Sequence, residues 1–111
     1  MNLLKGTLDL LVLKALAGGS RHGYEVARWI RDVTDDSLSV DDGALYTSLH
    51  RMEKRGWIES EWGISEKGRR AKYYVLSAAG RRRFAAEEKS WTNYVDAVFK
   101  VLRIRQSRPH W

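Results

Sequence analysis

The stretch from Asp41 to Leu76 constrains the fold more than any other part of the chain, because it sets one short amphipathic segment directly before two alternating, aromatic and basic ones. At about 100° per residue, Leu45, Leu49 and Met52 share one stripe, which a helix would have to bury. Thr47, His50 and Lys54 lie opposite, flanked by Tyr46 and Arg51. A helix of about three turns would thus present hydroxyl, imidazole, ammonium and guanidinium groups side by side. Such a face suits phosphates and base edges. Asp41 or Asp42 can cap the helix at its positive end, and Gly56 closes it as a C′ residue. Trp57 to Trp62 then alternates like a half-buried strand, and Gly63 to Gly68 makes a turn. Arg69 to Leu76 returns with Tyr74 and Leu76 on one side and Tyr73 and Val75 on the other. Helix, strand, basic loop, strand is the order of a winged helix, a mainly α fold with a small β-wing.

Upstream, the apolar residues from Leu3 to Ala17 cover more than one face, so the first helix should be buried on two sides. One side is its own core. The other is either the rest of the monomer or a second subunit. Gly18-Gly19 stops this helix, and Ser20 is placed to cap the next, which carries Tyr24, Ala27 and Ile30 on one stripe and Val26, Trp29 and Val33 on its neighbour. His22, at the second helix's start, reads as a capping or packing residue. Asp32, Asp35 and Asp36 form a solvated acidic loop, and Leu38 to Val40 is expected to be the small first strand of the winged fold.

After the wing, Ser77 caps a last helix that should run to about Arg103. Phe84, Trp91, Val95, Val98 and Leu102 follow at spacings of 7, 4, 3 and 4, the pattern of a coiled-coil seam. A seam on so long a helix, hanging from so small a domain, asks for a second copy of the chain to cover it; the alternative is that the helix folds back on its own domain. The expected organisation is a winged domain over 1–76, a dimerisation helix over 77–103 and a frayed tail over 104–111.

A chain of 111 residues fits one domain. With 20 Lys and Arg against 14 Asp and Glu, its charge of +6 favours an anionic partner without naming it. There is no cysteine, hence no disulfide framework and no thiolate chemistry. No segment approaches the ~18 consecutive apolar residues of a membrane span, so no membrane partner and a cytoplasmic location are expected. His22, His50 and His110 lack metal-ligand spacing, no Gly-rich phosphate cradle is present, and no acid pair or nucleophile clusters. No enzyme activity, metal or cofactor is expected.

GALYTSLHRMEKRGWIESEW followed by GRRAKYYVLSAAG, with HGYE at His22 to Glu25 upstream, resembles the PadR family of bacterial transcriptional regulators. The carrying residues are the Leu45-Tyr46 pair, the passage through Arg51, Glu53, Gly56 and Ile58, the wing Trp62, and the close at Tyr73, Tyr74, Leu76 and Gly80. Thr47 stands where the family often has proline, as it does in the small, multidrug-responsive branch. The resemblance implies a homodimeric repressor of an inverted-repeat operator in double-stranded DNA. Thr47, His50, Arg51 and Lys54 would then face the major groove, Tyr46 would donate to a phosphate, and Lys67, Arg69, Arg70 and Lys72 in the wing would neutralise backbone charge. Lys89-Ser90-Trp91 is similar to the branch whose tryptophan stacks on ligands. Two Trp91 indoles meeting near a two-fold axis would leave a slot for a small planar aromatic effector, with Tyr94, Leu8, Asp9 and Val12 as its walls; the bland alternative is that Trp91 only fills a dimer core. The competing function is a winged-helix module that binds protein rather than DNA, since the fold is used both ways.

Overall fold

The computed structural model describes residues 6–104. Helix α1, Thr7–Ala17, starts after Gly6, whose φ of 85° needs a residue without a Cβ, and it buries Val12, Leu13, Ala15 and Leu16. The expected turn of helix before it lies outside the described residues. A two-residue strand β1, Arg21–His22, leads directly into α2, Gly23–Val33. The cap of α2 is His22 rather than Ser20. Its Nδ1 accepts from the Glu25 N–H at 3.3 Å while Glu25 Oε1 accepts from the His22 N–H at 3.0 Å, a reciprocal capping box built on an imidazole. Ser20 loses this role because residues 21 and 22 are drawn into a sheet, and the helix begins only where that pairing ends.

The expected strand at Leu38 to Val40 does not form. The chain leaves α2 through Thr34, Asp35 and Asp36, the two aspartates at φ of 50° and 64°, and Thr34 Oγ1 accepts from the Leu38 N–H at 3.2 Å. Leu38 and Val40 instead pack their side chains against the core from irregular backbone. The third edge of the sheet is supplied by β1.

Helix α3, Asp42–Lys54, is capped by Asp41, which accepts from the Ala44 N–H at 2.9 Å. Gly56, at φ of 77°, ends it as expected. Leu45, Leu49 and Met52 are fully buried, each a transfer contribution of about 1.5–3 kcal/mol. Strands β2, Ile58–Ile64, and β3, Arg70–Leu76, form an antiparallel hairpin running from the pair Ile58↔Leu76 to Ile64↔Arg70 at the tip. With β1 the sheet order is β1-β3-β2. Tyr74 and Leu76 face the core, and Val75 faces out, as the alternation requires.

Helix α4, Ala78–Leu102, is capped by Ser77, whose Oγ accepts from the Gly80 N–H at 3.0 Å and donates to the Gly56 carbonyl at 2.5 Å. Gly80, a weak residue for a helix interior, is required here. A Cβ on it would stand 1.8 Å from the Trp57 carbonyl oxygen, so only glycine lets α4 start against the chain entering β2. Phe84 packs on the core of its own chain, beneath the Lys14 ammonium at 5.7 Å from the ring, and so leaves the seam assigned to a partner. Beyond it the helix runs clear of the domain, which stretches the molecule to 66 × 29 × 21 Å. Tyr94, Val98, Phe99, Val101, Leu102 and Ile104 are all exposed there. Trp91 and Val95 are half-buried, Trp91 in ring contact with Tyr94 at 5.9 Å. The rest of the expected tail lies outside the described residues.

Candidate nucleic-acid interface

The outer face of α3 is open. Tyr46, Thr47, His50 and Lys54 are exposed and, with Arg51 and Tyr74, line a shallow groove along the helix. Among the described residues neither His50 nor Lys54 has a carboxylate within 4.0 Å, and Thr47, His50 and Lys54 are all exposed. Tyr46 is held by its neighbour: Gly23 leaves room for the ring, since a Cβ there would come within 2.8 Å of its hydroxyl.

Arg51 departs from the sequence expectation. One of its guanidinium nitrogens sits 2.5 Å from each carboxylate oxygen of Asp9 in α1, and the Ser48 hydroxyl donates to the same carboxylate at 2.6 Å. Ser48, only 2% exposed, thereby has its acceptor inside the core. The arginine flanks the outer face by helical spacing but is committed to α1. The same contact removes Asp9 from the role of an unpaired anion awaiting a cationic guest, and Val12, at 0% exposure, belongs to the core and offers no wall to a slot.

In the wing, Lys67, Arg69 and Arg70 are exposed at the tip. Lys72 is not a free wing cation. Its ammonium lies 3.2 Å from Glu53 Oε1 and 5.7 Å from the centre of the Tyr74 ring. The Ser60 hydroxyl donates to the other Glu53 oxygen. That hydroxyl bond, then Lys72, hold the Glu53 carboxyl below the ordinary carboxylate value against the opposing effect of burial. Burial pushes the neighbouring Tyr74 phenol up. This network rivets α3 to the hairpin and so fixes the angle between the open helix face and the wing.

Between them runs a cleft of 790 Å³ lined by Tyr46 and by wing residues including Trp62, Arg70 and Lys72. It is also lined by Tyr24 and Arg28 of α2, which the sequence reading did not select. Helical spacing sets Tyr24 on one stripe with Ala27 and Ile30, yet it is 58% exposed, and Val33 is likewise exposed at the helix's far end. The signal that could have found the site is the i, i+4 spacing of an aromatic and an arginine, with the Arg28 guanidinium 5.5 Å from the centre of the Tyr24 ring.

Three helices that carry an open, polar and basic helix face beside a basic hairpin define a winged helix-turn-helix DNA-binding module. The description "Transcriptional regulator PadR-like family" matches residues 12–86, from α1 into the first turns of α4. The fold is similar to that of the PadR-like transcriptional regulator of Bacillus cereus, at a TM-score of 0.79 and 26% identity over 92% of this chain and 97% of that one. A PadR family transcription regulator from Clostridium difficile superposes with a TM-score of 0.75 at 28% identity, covering 87% and 99% of the two chains. An uncharacterised protein of Lysinibacillus sphaericus is 27% identical over 87% of this chain and 89% of its own length. The chain belongs to the PadR-like family of transcriptional regulators. Among the described residues no helix is long and apolar enough to cross a membrane.

Proposed function

We propose that the chain acts as a homodimeric repressor that binds an inverted-repeat operator, with Thr47, His50 and Lys54 at base edges and Tyr46, Lys67, Arg69 and Arg70 on the backbone. The observation that carries this reading is the open face of α3: among the described residues its Thr47, His50 and Lys54 are exposed with no carboxylate within ion-pair distance, while the wing cations extend the same surface. Phosphates and base edges are the acceptors such a surface lacks. The homodimer is supported by the run of exposed apolar residues from Tyr94 on α4 to Ile104 just beyond its end, which water alone would otherwise cover. Two-fold pairing through α4 would set two recognition helices about one helical turn of DNA, or a multiple, apart.

Release by a planar aromatic effector is supported by Trp91 and Tyr94, whose rings touch halfway along the free part of α4. Of the other walls, Leu8 remains half-buried at the edge of the core. Such a guest would lower operator affinity by altering the separation of the two winged domains.

Anisotropy titration of labelled DNA from upstream of its own gene tests the reading, with planar cationic dyes added to the complex. Salt-sensitive binding to an inverted repeat, and its reversal by a dye that quenches tryptophan fluorescence, are expected. Absence of binding to DNA at any salt would overturn the proposal in favour of a protein-binding module. Dye affinity unchanged in Trp91→Ala would leave Trp91 a core residue and remove the effector from the scheme.

A further inference from the structure

The groove along the outer face of α3, 630 Å³ in volume, holds an amine nucleophile beside a base. His50 and Lys54 both line it, both are exposed, and they stand one helical turn apart, with about 5–6 Å between their Cβ atoms. The lysine arm spans that gap, so the imidazole can reach a proton on Nζ directly or through one water. Neither side chain has a carboxylate within 4.0 Å among the described residues. No other described lysine follows a histidine by one turn of helix. Lys72 is held 3.2 Å from Glu53, and Lys14 lies over the Phe84 ring at 5.7 Å. Lys89 and Lys100 are exposed on α4, which carries no histidine, and Lys67 stands in the wing turn directly after Glu66. The same groove offers a seat for a small anion. The hydroxyls of Tyr46 and Thr47 line it on exposed residues, and Arg51 at its edge turns one guanidinium nitrogen to Asp9 while its others have no hydrogen-bond partner among the described residues.

We propose that Lys54 is an acylation site, modified by a small acyl phosphate whose phosphate group sits among the Tyr46, Thr47 and Arg51 donors while His50 acts as the base. The imidazole takes a proton from the Lys54 ammonium, and the freed lone pair forms an N–C bond to the acyl carbon. The bond from that carbon to the phosphate oxygen breaks, and inorganic phosphate leaves with the electron pair and the second Nζ proton. Nothing is oxidised or reduced. The site itself does not depend on DNA binding, but its consequence rests on that reading: an acyl-lysine carries no charge and no ammonium donor, so the recognition face loses a cation. This control acts on α3 directly and does not pass through α4.

The test adds acetyl phosphate to the full chain and follows the occupancy of each lysine by peptide mass spectrometry, in the parent and in His50→Ala. His50 is exposed, so the variant should melt like the parent. Lys54 is expected to react roughly tenfold faster than Lys67, Lys89 or Lys100 in the parent, and at their rate in His50→Ala. Equal rates at all four lysines of the parent would overturn the site, and a preference for Lys54 that survives in His50→Ala would overturn the base. Affinity for labelled upstream DNA of the gene is then measured before and after treatment, in the parent and in Lys54→Arg, which keeps a cation but offers no amine. Treatment should weaken the parent by roughly tenfold and leave the affinity of Lys54→Arg where it was. An equal loss in Lys54→Arg would overturn Lys54 as the switch. An untreated parent that binds no DNA, with Lys54 still the preferred lysine, would overturn the DNA-binding reading and leave the acylation site standing.

Discussion

The contact of Asp9 with α3 gives the sharpest quantitative prediction, because one carboxylate serves an arginine and a buried hydroxyl at once. Asp9→Ala removes the ion pair and strands the Ser48 hydroxyl in the core, where it is 2% exposed. The stranded hydroxyl costs about 1–3 kcal/mol. The ion pair is worth less than its short distance suggests: the Arg51 side chain is 39% exposed and that of Asp9 27%, so solvent screening limits its contribution to about 1 kcal/mol. Together the loss should be about 2–4 kcal/mol, or roughly 10–30 °C in melting temperature for a domain of this size. Ser48→Ala alone leaves the arginine its partner and should cost about 1 kcal/mol. In the double variant the orphaned hydroxyl is gone, so the combined loss should fall short of the sum of the two single losses by about 1–2 kcal/mol. Urea denaturation of the four proteins at one fixed chain concentration reads this coupling, the fixed concentration being needed because dimerisation shifts apparent stability. Additivity within about 0.5 kcal/mol would refute the shared-carboxylate argument. Asp9→Asn separates the two effects: the amide oxygen can still accept from Ser48 while Arg51 loses its counter-charge. DNA affinity should then rise, with a salt slope steeper by about one.

Glu53→Gln should destabilise the protein at neutral pH but not in acid. Its folded value is depressed from the ordinary 4.5, so the stabilisation is fully present above that value and is lost as pH falls through the lower folded value; converging urea midpoints below pH 4.5 check it. Val98→Asp should halve the sedimenting mass toward the 12.8 kDa of one chain, because it would bury an unpaired carboxylate in the proposed α4 contact; an unchanged mass would move the interface elsewhere. His50→Ala and Lys54→Ala should each reorder preference among related operators, by about 1–3 kcal/mol at the contacted pair, while Arg70→Ala weakens all sequences alike; uniform loss in all three would remove direct readout from α3.

What the sequence could convey follows from range. Periodicity is a local signal, and it placed Leu45, Leu49 and Met52 in the core, Tyr74 and Leu76 on the inner face of the hairpin, and the bounds of α3 and α4 to within a residue or two. The cap of α2 and the third strand failed together, for one reason. Residues 21 and 22 are claimed by pairing with Tyr74 and Tyr73, about fifty positions away, and no local pattern in Arg-His announces that. The cations show the same limit with larger consequence. Helical spacing puts Arg51 beside the outer face, and strand alternation puts Lys72 in the wing, but each meets a carboxylate from another element, Asp9 and Glu53. Tyr24 and Arg28 moved the other way, from a helix assigned to support into the lining of the cleft. For a surface built to meet an anion, the decisive quantity is therefore not how many cations face outward but which of them the fold leaves without an internal acid. By that measure Lys54 and the wing-tip cations are the ones the fold leaves without an internal acid among the described residues, while Arg51 is held by Asp9 and Lys72 by Glu53.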